Sequence, residues 1–376
     1  MTKLIHIISD SNIGGAGRCL VNYLRCHDRS RFAVSVILPR GSLLIPQITA
    51  LDVPYIEVDG IAERSFSPAA VRELSRILKK EKPRIVHTHG SFSGRIAAKL
   101  CGCRIVYTRH SAFPVSPRLQ KGIGHHLNGL VNGFFADIVI AVSPAARENL
   151  MESGIAPGII RLVGNGVAPL SPADETHLAA LRSAWEIPGG CFVAGYPARL
   201  EDYKGHDLLL EAAKRLKAEG REFRILVAGR GNREQKLREQ AKAMGVSDRV
   251  QFPGFVEDMA GFLSLLTVQL NCSTQSEACS MSIIEGMSLG LPTIASRCSG
   301  NPWLVEDGVT GLLFENNSAE ALTAALKQLM DDPALVQNMG SAARAAYEAR
   351  FTGRIFAANL ERVYDEILKK KGGSSR

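Results

Sequence analysis

The chain has 376 residues, 45% hydrophobic and 22% charged, a composition typical of soluble globular proteins and a length that implies about two domains rather than one core. Its net charge of +8 is uneven, since residues 1–170 hold 21 Lys and Arg against 11 Asp and Glu while the remainder holds 24 against 26. A basic first half points to a polyanionic partner, but the basic residues are dispersed and aromatics make up only 6% of the chain, which argues against nucleic acid.

The eight cysteines are scattered, and the pair Cys101-Gly102-Cys103 lacks a second pair at zinc-ligand spacing, so reduced thiols are expected. The apolar run at residues 4–8 follows a single lysine without the features of a signal peptide, and no apolar segment reaches the roughly 20 residues needed to span a bilayer. A cytoplasmic protein is expected, at most peripheral at the inner face of the plasma membrane.

In chain order, residues 3–10 read as a strand and Gly14-Gly15-Ala16-Gly17-Arg18 as a glycine-rich turn into a helix. That turn lacks the spacing G-x-G-x-x-G, yet it still lets a phosphate approach the backbone. Strand-like runs recur at 33–38, 54–58, 84–88, 104–108, 137–142 and 159–163, with helical patterns clearest at 68–81 and 118–134. Gly164-Asn165-Gly166-Val167 and the prolines that follow read as a linker. Beyond it strands (191–196, 223–228, 249–252, 267–271, 292–295, 312–314) alternate with helices (205–218, 233–243, 257–264, 281–289), and helices at 318–330, 333–347 and 351–370 close the chain. The expected fold class is α/β, with two doubly wound parallel-sheet domains over 1–168 and 169–350, and with the 351–370 helix able to pack back on the first. A ligand is expected at the carboxyl ends of their strands, in a central cleft. Residues 372–376 are expected to be a disordered tail.

Residues 277–292 are the most informative stretch, holding Glu277 and Glu285 on either side of an expected helix start. Met281, Ile284, Met287 and Ser288 fall at helical spacing facing inward, and nearby serines can cap. A helix N-terminus between two carboxylates suits a diphosphate that carries a sugar at each end. On these residues alone, a buried helix entering the turn Gly290-Leu291-Pro292 is an equal alternative.

Pro197-Ala198-Arg199-Leu200 with Lys204-Gly205-His206, Val227-Ala228-Gly229-Arg230-Gly231, Phe252-Pro253-Gly254-Phe255, the 277–292 stretch and Gly308-Val309-Thr310-Gly311 stand in an order that closely resembles the retaining glycosyltransferases of family four. Asn165-Gly166-Val167 and the opening glycine turn resemble that family's linker and N-terminal loop. The resemblance implies the GT-B fold, made of two Rossmann-like domains, the first binding the acceptor and the second a UDP- or GDP-sugar. It implies that Arg199 and Lys204 clamp the donor diphosphate, Glu277 sits by the transferred hexose and Glu285 by the ribose. Backbone at Cys279, Ser280, Met281 and Ser282 would meet hexose and phosphates. Gly229, Gly231 and Phe255 would line the base, and Gly15 and Gly17 would approach the donor from the first domain. His110 matches the family histidine that contacts the hexose near its reacting carbon. Two departures stand out: Ala278-Cys279-Ser280 where Gly-aromatic-Gly is common, and Asn232-Arg233 where Gly-Pro is common.

His87 and His89, two apart on one strand, are expected to divide between the core and the ligand side. No Asp-x-Asp pattern accompanies these histidines and the basic clamp makes a metal unnecessary, so no metal or other cofactor is expected and activity should survive EDTA. Residues 118–135 mix basic and apolar groups in a helix suited either to packing on the sheet or to an anionic lipid surface, where a polyprenyl- or lipid-linked acceptor would be reached. The expected activity is transfer of a hexosyl group to such an acceptor or to a surface-polysaccharide precursor. The rival readings are a nucleotide-sugar epimerase or hydrolase, and a non-catalytic sugar-nucleotide-binding partner.

Overall fold

The computed structural model describes residues 1–62 and 66–369, so the expected disordered tail lies outside the described residues. Two compact units divide the chain: Met1–Val167 together with Phe351–Arg376, and Ala168–Arg350. The first contains a seven-stranded parallel sheet, formed by β1 (Thr2–Ile8), β2 (Phe32–Pro39), β3 (Tyr55–Val58), β4 (Ile85–His89), β5 (Arg104–Arg109), β6 (Ile138–Ala141) and β7 (Ile160–Leu162). Its order is β3-β2-β1-β4-β5-β6-β7, with β1 in register between β2 and β4. The second contains a six-stranded parallel sheet of β8 (Phe192–Pro197), β9 (Phe223–Ala228), β10 (Val250–Gly254), β11 (Val268–Asn271), β12 (Thr293–Ser296) and β13 (Gly311–Phe314), ordered β10-β9-β8-β11-β12-β13.

Helices cover both faces of each sheet, which is why the strands read as unbroken apolar runs. On one face of the first sheet, Leu4, Ile8, Ile85 and Val106 pack with Leu20 and Leu24 of the helix Gly15–Cys26 and Leu360 and Tyr364 of the helix Gly353–Lys369. The last helix therefore belongs to the first unit. On the other face Ile5, Ile7 and Val86 meet Leu74 and Leu78 of the helix Pro68–Glu81, which Ser67 caps by accepting from Ala70 N. In the second unit Leu209 and Leu216 of the helix His206–Ala218 and Leu322 and Leu326 of Ala319–Asp331 cover Ile225, Val227 and Leu270.

The expected 118–134 helix is two helices, Pro117–Gln120 and Gly122–Phe134, because Lys121 between them is extended at φ −145° and ψ 161° and Gly122 follows at φ +70°. Short helices at Ile45–Thr49, Phe92–Leu100, Pro144–Glu152, Glu175–Ala184 and Asn301–Leu304 add to the elements expected.

Candidate active site

The strand order of the second sheet reverses at the neighbouring strands β8 and β11, and in open α/β sheets ligands bind at the carboxyl ends beside such a reversal. The segment leaving β8 carries Arg199 and Lys204; the one leaving β11 carries Ser273 and Glu277. Lys204 Nζ stands 2.6 Å from Glu277 Oε2, each side chain 13% exposed. Ser273 Oγ donates to the same carboxylate oxygen at 3.1 Å and Asn271 Nδ2 at 3.3 Å, while Gly300 N donates to the Glu277 carbonyl at 2.7 Å. The carboxylate is held by a cation, a hydroxyl and an amide, a strongly determined geometry.

Backbone contacts set the Lys204 loop. Buried Tyr196 on β8 donates its hydroxyl to the Lys204 carbonyl at 2.9 Å. Gly205 follows at φ +68°, where a Cβ would lie 2.0 Å from the Cys272 carbonyl oxygen, so glycine alone lets the two loops touch. Buried Arg233 grips Asp207 at 2.6 and 3.0 Å and Asp202 at 3.1 Å, bracing the turn that presents Lys204 and holding the Asp207 carboxyl below its usual range. The departure Asn232-Arg233 thus has a structural role. Arg199 is exposed, donates to the Tyr203 hydroxyl and has no carboxylate partner among the described residues, leaving its charge available to an anion.

The helix Met281–Ser288 starts where the sequence places it. Ser280 is its N-cap, accepting from Ile283 N at 3.5 Å, and its hydroxyl also meets Asn271 Nδ2 at 3.3 Å and Ser282 Oγ at 3.0 Å. The Ser280 side chain is therefore engaged inside the protein. Met281, Ile283, Ile284, Glu285, Met287 and Ser288 are all buried, Glu285 at 6% exposed. Cys279 is buried beside the cap, and burial with the nearby Glu277 charge pushes the neighbouring Cys298 thiol up to about 11. Gly229, at φ +151°, donates its N–H to the Gly254 carbonyl at 2.7 Å, and a Cβ there would stand 2.0 Å from the Ala198 carbonyl oxygen. A Cβ on Gly231 would stand 2.3 Å from the Leu200 carbonyl oxygen, and exposed Phe255 follows Gly254, so the ends of β8, β9 and β10 meet through backbone.

The remaining expected residues belong to the first unit. Gly15 opens its helix with open space around its Cα, whereas Gly17 is buried and a Cβ there would lie 2.7 Å from Leu44, so packing already accounts for that glycine. His110 follows β5 and joins a chain of rings along one face of the sheet: His6 Nδ1 to His89 Nε2 at 3.0 Å, and His89 Nδ1 to His110 Nε2 at 2.8 Å. His87 and His89 do not divide between core and ligand side. Residues two apart on a strand share a face, and both are buried, His87 bonding Tyr364 Oη and Thr108 Oγ1, each at 2.7 Å. His6, His87 and His89 bring ring nitrogens within 4.8 Å of one another, a spacing that would suit a metal. Hydrogen bonds already use both nitrogens of His87, both of His89 and one of His6, whose buried Nε2 has no partner, so all but one ring nitrogen of the cluster is engaged in a neutral network. Burial pushes His6 down to about 3 and His110 down to about 4, and burial with neighbouring histidines holds His87 and His89 well below the ordinary range.

Asn271, Ser273, Tyr203, Arg233 and His6 were not among the expected residues. Asn271 alone carried a signal, a polar residue ending an apolar strand.

Residues 13–169 match the family described as Glycosyltransferase Family 4, and residues 179–346 match Glycosyl transferases group 1. The chain is 26% identical over 375 residues to the lipopolysaccharide core biosynthesis glycosyltransferase LpsD of Rhizobium meliloti, covering 98% of this chain and all of the relative. It is also 26% identical over 328 residues to the phosphatidyl-myo-inositol mannosyltransferase of Mycolicibacterium smegmatis, covering 85% of this chain and 80% of that one. The crystal structure of Anabaena Alr3699/HepE in complex with UDP-glucose shares the fold with a TM-score of 0.84 at 20% identity, over 97% of this chain and 100% of that chain. The chain belongs to the family-four, group 1 glycosyltransferases, enzymes of the GT-B fold.

Proposed function

We propose that the chain transfers a hexosyl group from a UDP- or GDP-sugar, with retention at the anomeric carbon and without a metal, to a hydroxyl of a lipid-linked or surface-polysaccharide precursor. The Lys204–Glu277 pair beside Arg199, at the order reversal of the second sheet, carries this reading. As the bond from anomeric carbon to diphosphate oxygen breaks, negative charge grows on the leaving group, and cations aimed there lower the barrier. No described side chain occupies a motif position for a covalent nucleophile. The acceptor oxygen attacks from the face the diphosphate leaves, and its proton passes to a diphosphate oxygen. Glu277 stands by the oxocarbenium-like sugar, Glu285 takes the ribose hydroxyls, backbone at Cys279, Ser280, Met281 and Ser282 meets the diphosphate end, and Gly229, Gly231 and Phe255 line the base. His110, neutral at working pH, contributes a hydrogen bond to the hexose rather than a charge. A UDP-glucose complex of a protein sharing this fold supports the donor class.

With Arg199 and Lys204 supplying positive charge, turnover is expected to be unchanged by EDTA. Loss of turnover that Mg²⁺ or Mn²⁺ restores would contradict the metal-free reading.

The acceptor side is proposed to work at an anionic membrane surface, as the names of the two relatives, acting on lipopolysaccharide core and phosphatidyl-myo-inositol, make reasonable. No described helix is long and apolar enough to cross a membrane. The helix Gly122–Phe134 nevertheless shows Ile123, Leu127, Leu130 and Phe134 to solvent at 87, 58, 72 and 59% exposed, on one face, with Arg118 and Lys121 just ahead of it. Sinking two leucines into lipid is worth about 3 kcal/mol or more, so Leu127→Gln with Leu130→Gln should weaken sedimentation with anionic vesicles by about a hundredfold. Unchanged binding, or wild-type binding indifferent to salt, would contradict membrane docking.

A further inference from the structure

On the face of the helix Gly122–Phe134 opposite its apolar stripe, a cavity of about 270 Å³ opens within the first unit. The helix contributes Asn128 and Asn132, β5 contributes Tyr107 and Arg109, and the helix Phe92–Leu100 contributes Arg95. Arg95 is only 8% exposed. Its guanidinium lies 4.7 Å from the Phe92 ring centroid and 4.3 Å from that of Tyr107, and it donates to Asn132 Oδ1 at 2.8 Å. Its buried Nε has no hydrogen-bond partner. Neither Arg95 nor half-buried Arg109 pairs with a carboxylate among the described residues. The sequence explains this, because residues 82–136 contain eight Lys and Arg and no Asp or Glu. Burying a cation without a counter-ion is costly, and here ring faces and one amide replace the carboxylate. Burial accordingly draws the Arg95 pKa down from its ordinary value.

We propose that this cavity is a phosphate site on the acceptor side, taking the phosphate or diphosphate of a lipid-linked acceptor. The Asn128 and Asn132 amides already donate to the Ser153 and Asn128 oxygens, so the two arginines are the donors that match phosphate oxygens, and an arriving anion supplies the counter-charge that they lack. The site deepens the lipid-linked acceptor reading and rests on it for the apolar part of the ligand, not for the phosphate.

The test uses the full chain, Arg95→Met and Arg109→Gln. Methionine keeps the apolar body of Arg95 and removes the charge. Binding of UDP and GDP, followed calorimetrically, reports the integrity of each variant. Pyrophosphate is then titrated in the presence of whichever nucleotide binds, at saturation, to keep it from the Arg199 and Lys204 side. In parallel, sedimentation compares phosphatidylcholine vesicles with vesicles that also contain phosphatidic acid. Each variant should lose about tenfold in the phosphate-dependent binding and keep its nucleotide affinity. A loss in the pyrophosphate arm identifies the phosphate group itself as sufficient, and a loss confined to the phosphatidic acid arm identifies a lipid headgroup; both support the site. Variants that keep nucleotide affinity and bind both probes as the wild type does would overturn it, as would a wild type that binds neither. If Arg95→Met loses nucleotide affinity, Arg109→Gln decides by the same criteria. If the wild type binds no nucleotide, the donor reading fails while the vesicle arm still decides the cavity.

Discussion

Lys204→Ala is expected to lower kcat by about two to three orders of magnitude, the range found when a donor aimed at developing charge is removed. Its ammonium is held at Glu277 by a 2.6 Å contact and by a loop that Gly205, Tyr196 and Arg233 fix, so little of its position depends on the substrate. Glu277→Gln should lower turnover comparably while keeping the bonds offered by Ser273 and Asn271, and hence the fold. The two substitutions should separate in binding. Removing the carboxylate leaves Lys204 uncompensated beside the diphosphate, so Glu277→Gln should bind free nucleoside diphosphate at least as tightly as the wild type, whereas Lys204→Ala should bind it more weakly. Because both break one pair, their effects on turnover should be less than additive. Nucleoside diphosphate release with acceptor present measures the first effect and calorimetry the second. Near-wild-type turnover in both variants would contradict the assignment.

Acidification from pH 6.5 to 5.5 is expected to destabilise the first unit by about 3 kcal/mol, taking about 1 kcal/mol for each of His6, His87 and His89, because the unfolded imidazoles go from half to almost fully protonated over that interval. All three are buried and have folded values far below the ordinary 6.5, His6 at about 3. Below pH 6.5 the unfolded chain takes up protons that the folded unit refuses. The stabilisation is therefore complete above that pH and is lost progressively as pH falls toward the folded values. In a unit of this size the change corresponds to a fall in Tm of about 10 °C. Melts followed by hydrogen exchange in β1 and β4 would show it, and a Tm that stays flat between pH 7.5 and 5.5 would contradict a buried neutral network.

Both predictions depend on contacts that were unequally legible in the sequence. The strands were readable because both faces of each sheet are covered, so Ile5 and Leu4 alike are apolar. The helix at Met281 was readable because its buried positions recur at helical spacing and a serine precedes them. Arg199, Lys204, Glu277 and Glu285 emerged by resemblance, and the Lys204–Glu277 contact joins residues 73 apart, a distance that no periodicity reports. The same limit hid His87, whose partner Tyr364 lies 277 residues away. Arg233 departs from the family pattern in sequence, and its ion pairs with Asp202 and Asp207 carry no sequence signal because they depend on where loops meet. The break at Gly122 was hidden for a local reason: a glycine within a helical pattern does not announce a positive φ.

The most direct test of the central claim, a nucleotide-sugar diphosphate held by Arg199 and Lys204, is calorimetric titration of the wild type and the double variant Arg199→Ala, Lys204→Ala with UDP and with GDP. The wild type is expected to bind at least one of them, and the double variant to bind it at least a hundredfold more weakly, about 2.7 kcal/mol. Equal affinity in the two proteins would contradict the claim.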